Sequence, residues 1–455
     1  MIEIAYALTG VWLLGWAIFS LTEISRDRRS AMPYLVLIHV LLTGLPLVLD
    51  LIVAPPEYRA QPGFYVANQD VGTALVYCGY VSFCTVFWWA MRGRRRRNRS
   101  HPSGQSFASE GRLLVPWRPL FWLMVVSPLV ALATAPVPGA YLRYAYVALS
   151  NVPSNVSDHH QIVAMATVLS GLGVGLLLAS REKLRLRDIA AISPWLIVSF
   201  WLNGKRTIVF TTMALLCLIV WNRHVLGRGA LLVAGTGLLG ALLLFAVAYQ
   251  TGLRGISARD AYDSVRIDFS RDNAIKMPIY AELHPDRMVI LERRGQSLLF
   301  NIALFVPREI WPAKPLPYAQ YFTSAMLGTE PRMWGWGMTT SWLGEALSNA
   351  GWVGLLLGPF TLGLMARLAD ARGSALFSAL TVLVTALLMA VQVVAFLPLF
   401  LCWVVAAWGG RRSRRRLVRA PVTVSRFDRG SLGATPRSAH WQTVGWRESQ
   451  AASSR

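Results

Sequence analysis

Long apolar runs broken by short basic clusters organise this chain. Runs near 2–21, 32–54, 71–91, 118–136, 161–180, 188–203, 207–222, 230–250, 342–366, 374–391 and 393–409 approach the ~20 residues with which a helix crosses a bilayer. The pattern predicts an all-α polytopic integral membrane protein with about eleven transmembrane helices. Two places set the parity of the later spans. The stretch 188–222 reads as a tight hairpin around Asn203-Gly204-Lys205-Arg206, and 374–409 as two short spans meeting near Gln392. The segment 251–341 breaks the pattern, because it is too long and too aromatic for a plain connection. It carries one amphipathic helix, with Tyr262, Val265, Phe269 and Ile275 at helical spacing, and the apolar but short Leu298–Val306. It is expected to fold as a large extracytoplasmic loop that caps the bundle.

Charge orients this arrangement. Basic clusters follow the first, third, fifth, seventh, ninth and last runs, from Arg26, Arg28 and Arg29 through Arg92–Arg99 to Arg411–Arg416. Positive residues stay on the cytoplasmic side, so the N-terminus is expected outside and the C-terminus in the cytoplasm. The net charge of +22 is accounted for largely by these loops and the tail, which argues against nucleic acid as the partner. The expected organisation is spans 1–8 in 1–250 with a basic cytoplasmic loop at 92–117, the outer loop at 251–341, spans 9–11 in 342–409, and a disordered basic tail at 410–455. Both basic segments suit contact with anionic membrane lipid. The first run lacks a basic leader and a cleavage site, so it reads as a retained span. Cys78, Cys84, Cys217 and Cys402 all fall in apolar runs, with no Cys/His metal spacing.

The candidate chemistry gathers on the outer side. Lys205, Arg206, Arg254, Arg294, Arg308 and Lys314 are cations beside span ends, and arginine grips phosphate through a planar donor fork. Glu345 and Asn349 lie four apart, on one face of the ninth helix, and Gly344, Gly351 and Gly354 leave room for a close neighbour. Trp311, Tyr318, Trp334 and Trp336 are shaped either as an interfacial belt or as stacking surfaces for sugar rings. His284, His159 and His160 show no triad spacing and read as surface histidines.

The residues Val306-Pro307-Arg308, Trp311-Pro312-Ala313-Lys314-Pro315 and Gly344-Glu345-Ala346-Leu347-Ser348-Asn349-Ala350-Gly351-Trp352-Val353-Gly354 resemble the bacterial O-antigen polymerase family, the Wzy-type oligosaccharide repeat unit polymerases. Val265 to Asp272 and Asn203-Gly204-Lys205-Arg206-Thr207 carry the same likeness, which covers about 202–368. The resemblance implies a multi-pass protein of the bacterial cytoplasmic (inner) membrane. It would be a glycosyltransferase that moves a growing glycan from undecaprenyl pyrophosphate onto a sugar hydroxyl of the next lipid-linked repeat unit. It implies no metal and no cofactor, and as partners the lipid-linked oligosaccharide, a flippase and a chain-length regulator. Arg206 and Arg308 would neutralise the pyrophosphate, Glu345 would position or deprotonate the acceptor hydroxyl, and Lys314 and Asn349 would bind substrate. Lys205, Arg254, Arg294, Trp311, Tyr318, Trp334 and Trp336 complete the expected substrate site.

Three alternatives stay open. An O-antigen ligase would use a different acceptor and could employ His284. A lipid-phosphate-sugar transferase would place an acidic pair in the first outer loop, where only Glu57 and Asp70 stand. A polysaccharide or lipid-linked sugar transporter would show repeated halves, and the chain has no visible internal repeat. The orientation has a direct check. A reporter enzyme that works only outside the cell is expected to be active when fused at Pro312 and silent when fused at Arg96 or Arg416. The reverse pattern would invert the topology.

Overall fold

The computed structural model describes residues 1–92, 111–112, 114–142, 147, 154–181, 185–204, 206–222, 258–269, 271–304, 306, 310–331, 333 and 337–419. Among the described residues all regular structure is helical. We label α1 Ile2–Arg26, α2 Ala31–Ile52, α3 Pro62–Gln69, α4 Val71–Met91, α5 Val115–Ala133, α6 Ser154–Ala179, α7 Leu186–Asn203 and α8 Arg206–Asn222. Then follow α9 Ala258–Phe269, α10 Asn273–Leu283, α11 Gln296–Ile302, α12 Tyr318–Leu327, α13 Trp342–Ala350, α14 Gly354–Arg372, α15 Ala375–Ala390 and α16 Val393–Gly409. Beyond Gly410, only helical residues up to Arg419 are described.

Among the described residues, six stretches are long and apolar enough to cross a membrane: α1, α2, α4, α5, His159–Ala179 within α6, and Trp342–Arg372. Thr212–Trp221 within α8, α15 and α16 are shorter apolar helices. This is a helical membrane protein, since a backbone in lipid must satisfy its own hydrogen bonds. On α1, Leu8, Val11, Trp12 and Ile18 are exposed, as on a lipid-facing surface. The predicted hairpin appears as α7 and α8, with Gly204 at φ 65° ending α7 in the left-handed conformation. The break near Gln392 appears as extended backbone at Val391 and Gln392. The predicted run 230–250 lies outside the described residues.

The predicted ninth span, 342–366, is a folded hairpin. A straight helix would put Leu343 and Gly358 about 22 Å apart, yet a β-carbon on Gly358 would lie 3.5 Å from the Leu343 Cα. The Trp342 indole also donates to the Thr361 hydroxyl at 2.7 Å. Gly351, at φ 59° and ψ −150°, makes the reversal in a conformation side chains rarely tolerate. The crossing therefore falls to α14, and α13 lies back along its first half.

The outer loop departs from expectation in a similar way. Tyr262 to Ile275 was expected on one helix, but the helix breaks, with α9 ending at Phe269 and α10 beginning at Asn273. At the break, the Arg271 amide donates to the Leu42 carbonyl at 3.0 Å. The Arg271 guanidinium donates to Ala390 O at 2.7 Å and to Asp268 O at 2.8 Å. Leu42 sits in a π-helical turn, Val40–Gly44, whose carbonyls lie off the usual ladder and are open to other donors. The Tyr77 hydroxyl takes the Thr43 carbonyl of the same turn at 2.9 Å. Residues 273–281 are all buried, and α10 packs on α3, α4 and α13. This part of the segment is thus sunk among the helices.

A buried ion network fixes that depth. Arg266 donates to Asp50 at 2.9 and 2.7 Å and to Asp272 at 3.0 and 2.9 Å. Lys276 donates to Asp272 at 3.0 Å and to Asn68 at 2.8 Å, and its ammonium lies 4.5 Å from the centre of the Tyr6 ring. The Asn68 amide continues to Asn273 at 2.8 Å, which exchanges hydrogen bonds with the Tyr58 hydroxyl. Burial alone would raise the Asp272 carboxyl, but Arg266 and Lys276 hold it far below the usual carboxylate range. Burial likewise opposes the charge on Lys276, and Asp272 more than restores it. Asp272 and Lys276 are therefore both charged at neutral pH. Asp272 also stands at the N-terminus of α10, where the helix dipole favours a negative group.

Two substitutions test this architecture in purified protein by thermal unfolding. Asp272→Asn leaves two buried cations short of a counter-charge and is expected to cost about 3–5 kcal/mol. Gly344→Ala would put a methyl 1.9 Å from the Ala274 carbonyl where α13 crosses α10, and is expected to cost about 1–3 kcal/mol. An unchanged unfolding temperature in either variant contradicts the corresponding contact.

Candidate functional site

Glu345 sits on α13 with its side chain turned into the protein, and the residue is 1% exposed. The helix starts at Ser341, whose hydroxyl accepts from the Leu343 amide. Helical spacing then puts Glu345 and Asn349 one turn apart, facing α11. The Asn349 side-chain amide donates to the Ser297 hydroxyl at 2.8 Å and to the Glu345 carbonyl at 2.7 Å. The Ser297 hydroxyl has one proton, and with Asn349 as its donor it passes that proton towards Glu345 Oε1 at 2.9 Å. The Asn301 side chain supplies a further hydrogen bond to the carboxylate. Among the described residues no cation lies within ion-pair distance of Glu345. The carboxyl is thus held by neutral donors alone, in a place where an unpaired charge is costly.

Next to it, Tyr318 and Ser348 share a hydrogen bond of 2.8 Å. Burial pushes the Tyr318 phenol well up, so it keeps its proton at neutral pH. On the solvent side, Arg294 grips both oxygens of Glu282 and donates to the Ser348 carbonyl at 2.9 Å. Glu282, Arg294 and Ser348 line a cleft of about 220 Å³, together with Met288, Ile290 and Glu292. Glu282 and Glu292 outnumber Arg294 there, so this cleft by itself is not an anion trap. Its chemistry is that of polar recognition beside a buried carboxyl.

Of the residues predicted for the site, the structure brings Arg294, Tyr318, Glu345 and Asn349 together through Ser297 and Ser348. Lys314 stands apart in role. Its ammonium donates to the Leu304 and Val306 carbonyls at 2.7 and 3.0 Å and lies over the Phe300 ring, so it ties the loop beyond α11. Trp311 is half-buried in the turn that its carbonyl closes with the Lys314 amide. Arg206 opens α8, and only its backbone is described. Lys205, Arg254, Arg308, Trp334 and Trp336 lie outside the described residues.

His284 is better placed than a surface histidine. Its Nε2 is 3.3 Å from Asp70 Oδ1, and its ring packs on Tyr280. Asp70 also caps α4, accepting from the Thr73 amide and hydroxyl at 2.7 and 2.8 Å. Burial would raise the Asp70 carboxyl, but these bonds hold it below the usual range. His160 is buried, and the His159 imidazole donates to the Ala131 carbonyl at 2.8 Å. Among the described residues no cluster of three or more His, Cys, Asp or Glu is arranged to hold a metal ion.

Sequence reasoning missed the partners of Glu345. Ser297 and Asn301 lie four apart on α11, the first just before the short apolar run Leu298–Val306 and the second inside it. Their spacing was the available signal, a polar stripe on a helix otherwise made of Leu298, Leu299, Phe300 and Ile302. It missed the ion network as well, although Asp50 is the one charged residue in the run 32–54. Compared with protein-family models, with curated proteins and with solved structures, the chain finds no match.

Proposed function

We propose that the protein is a glycan polymerase of the cytoplasmic membrane, with about eleven spans and its N-terminus outside, which joins undecaprenyl-pyrophosphate-linked oligosaccharide repeat units on the outer face. The observation that carries this reading is the buried Glu345 carboxyl, held by Ser297, Asn301 and Asn349 beside the Arg294 cleft. The resemblance around Glu345 and Arg308 supplies the reaction class.

Chemically, the described residues fit the acceptor half of such a transfer. A sugar hydroxyl attacking the anomeric carbon must lose a proton, and a carboxylate held by neutral donors can receive it. Tyr318, Ser348 and the Arg294 guanidinium can fix neighbouring hydroxyls. The donor half needs cations for the departing pyrophosphate. Arg206 and Arg308 are assigned to it by the resemblance, with Lys205, Arg254, Trp334 and Trp336 around them. Because Arg294 is already matched by Glu282, it orients substrate and is not the main phosphate ligand.

The test is reconstitution of the purified protein with synthetic lipid-linked repeat units, and products sized on a gel. Polymer is expected without any ion gradient. Glu345→Gln should lower the rate by about a hundredfold or more while the protein level holds, and Arg308→Lys should abolish most polymer. Full-length polymer from both variants refutes the assigned roles. A single transfer to a different acceptor would identify a ligase, and substrate movement without a new bond would identify a transporter.

A further inference from the structure

The polarity of α11 runs opposite to that of a helix in water. Ser297 and Asn301 lie one turn apart and both reach Glu345, and Phe300 is buried on the same side. The other face carries Leu298, Leu299 and Ile302, and Ile302 is 83% exposed. No residue of Gln296–Ile302 is charged. A helix that covers a folded domain in water shows the reverse pattern, apolar inward and polar outward. At 7 residues α11 is too short to cross a bilayer, so its outward face calls for an apolar neighbour lying alongside it.

The height of α11 identifies that neighbour. α13 lies against the first turn of α14, because β-carbons on Gly354 and Gly358 would both touch Ala346. Glu345 is thus level with that turn, and its 2.9 Å hydrogen bond to Ser297 holds α11 at the same height. The 19 residues of α14 rise about 28 Å, and Arg367, its first charged residue, is about 20 Å from Gly354. A hydrocarbon core is about 30 Å thick, so counted from Arg372 or from Arg367 it reaches the level of Gly354. Trp352, Val353 and Leu356 are exposed there, as the start of a lipid-facing stripe requires. Charge begins at the turn before α14, where Arg294, paired with Glu282, would lie 3.6 Å from a β-carbon on Gly351. The exposed run Glu292-Arg293-Arg294 ends just before α11. α11 therefore sits where polar surface gives way to the lipid-facing surface of α14.

We infer that α11 is an interfacial helix, with Leu298, Leu299 and Ile302 seated in the lipid leaflet beside the start of α14, and that this seating backs Ser297 and Asn301 onto Glu345. The buried carboxyl then stands one helix away from lipid. The full-length protein is placed in proteoliposomes of phosphatidylglycerol and phosphatidylethanolamine, with photoreactive benzoylphenylalanine in place of Leu299, Ile302 or, in the polar cleft, Glu292. After irradiation and delipidation, mass spectrometry is expected to find the added mass of a phospholipid at positions 299 and 302 and none at 292. If a substituted chain does not fold, the wild-type protein in the same vesicles is labelled with an apolar diazirine dissolved in the bilayer. Label is then expected on Gln296–Ile302 and on α14, and not on Glu292-Arg293-Arg294. These readouts report lipid contact whatever reaction Glu345 serves. Folded variants without lipid adducts at 299 and 302, adducts of equal yield at 292, crosslinks from 299 or 302 to a second copy or another segment of the chain, or a diazirine label that marks α14 and leaves α11 bare overturns the inference.

Discussion

The fold hangs on the pairing of Arg266 with Asp50 and Asp272, extended by Lys276. Burying these charges among apolar helices is tolerable only if every one is matched and its remaining donors are used. Arg266 meets this with a fork to each carboxylate, and Lys276 with Asp272, Asn68 and the face of Tyr6. Satisfying the network brings the start of α10 to the end of α2. The segment 258–283 must then enter the bundle, and α9 must break before Asn273. The π-turn in α2 completes the fit by giving the Arg271 amide a carbonyl at bilayer depth.

From that position the rest of the site follows by packing. With α10 sunk between α4 and α13, Gly344 is the residue that lets α13 touch the Ala274 carbonyl. α13 can lie there only because the chain reverses at Gly351, and the reversal turns Glu345 and Asn349 towards Ser297 on α11. The two buried acidic sites differ in kind. Asp272 is saturated by cations and serves as a clamp. Glu345 has only hydroxyl and amide partners among the described residues, so its charge is not locked by an ion pair there.

The two membrane faces also differ. At one end, polar side chains surround a cleft above a buried carboxyl. At the other, an apolar slot is closed at one end by Arg372 and Ser374.

Local chemistry was legible in the sequence. Hydropathy marks α1, α2, α4, α5 and α6 because crossing a bilayer demands apolar length within one segment. Gly204 and the break near Gln392 were visible as turn chemistry, and Glu345 with Asn349 as a helical pair. What the sequence could not reveal involves residues that meet from far apart. Asp50 is a lone charge in an apolar run, and its partner Arg266 is 216 residues away. The run 342–366 reads as one span because both arms of its hairpin are apolar, and composition does not record that Leu343 lies beside Gly358. Lys314 looked like a free cation until the carbonyls of residues 304 and 306 came within its reach. The sequence by itself marked the long apolar segments, because transfer free energy sums along a segment. Only the tertiary structure decided which charges are consumed in pairing and which carboxyl stays available, because pairing depends on distances that no local window contains.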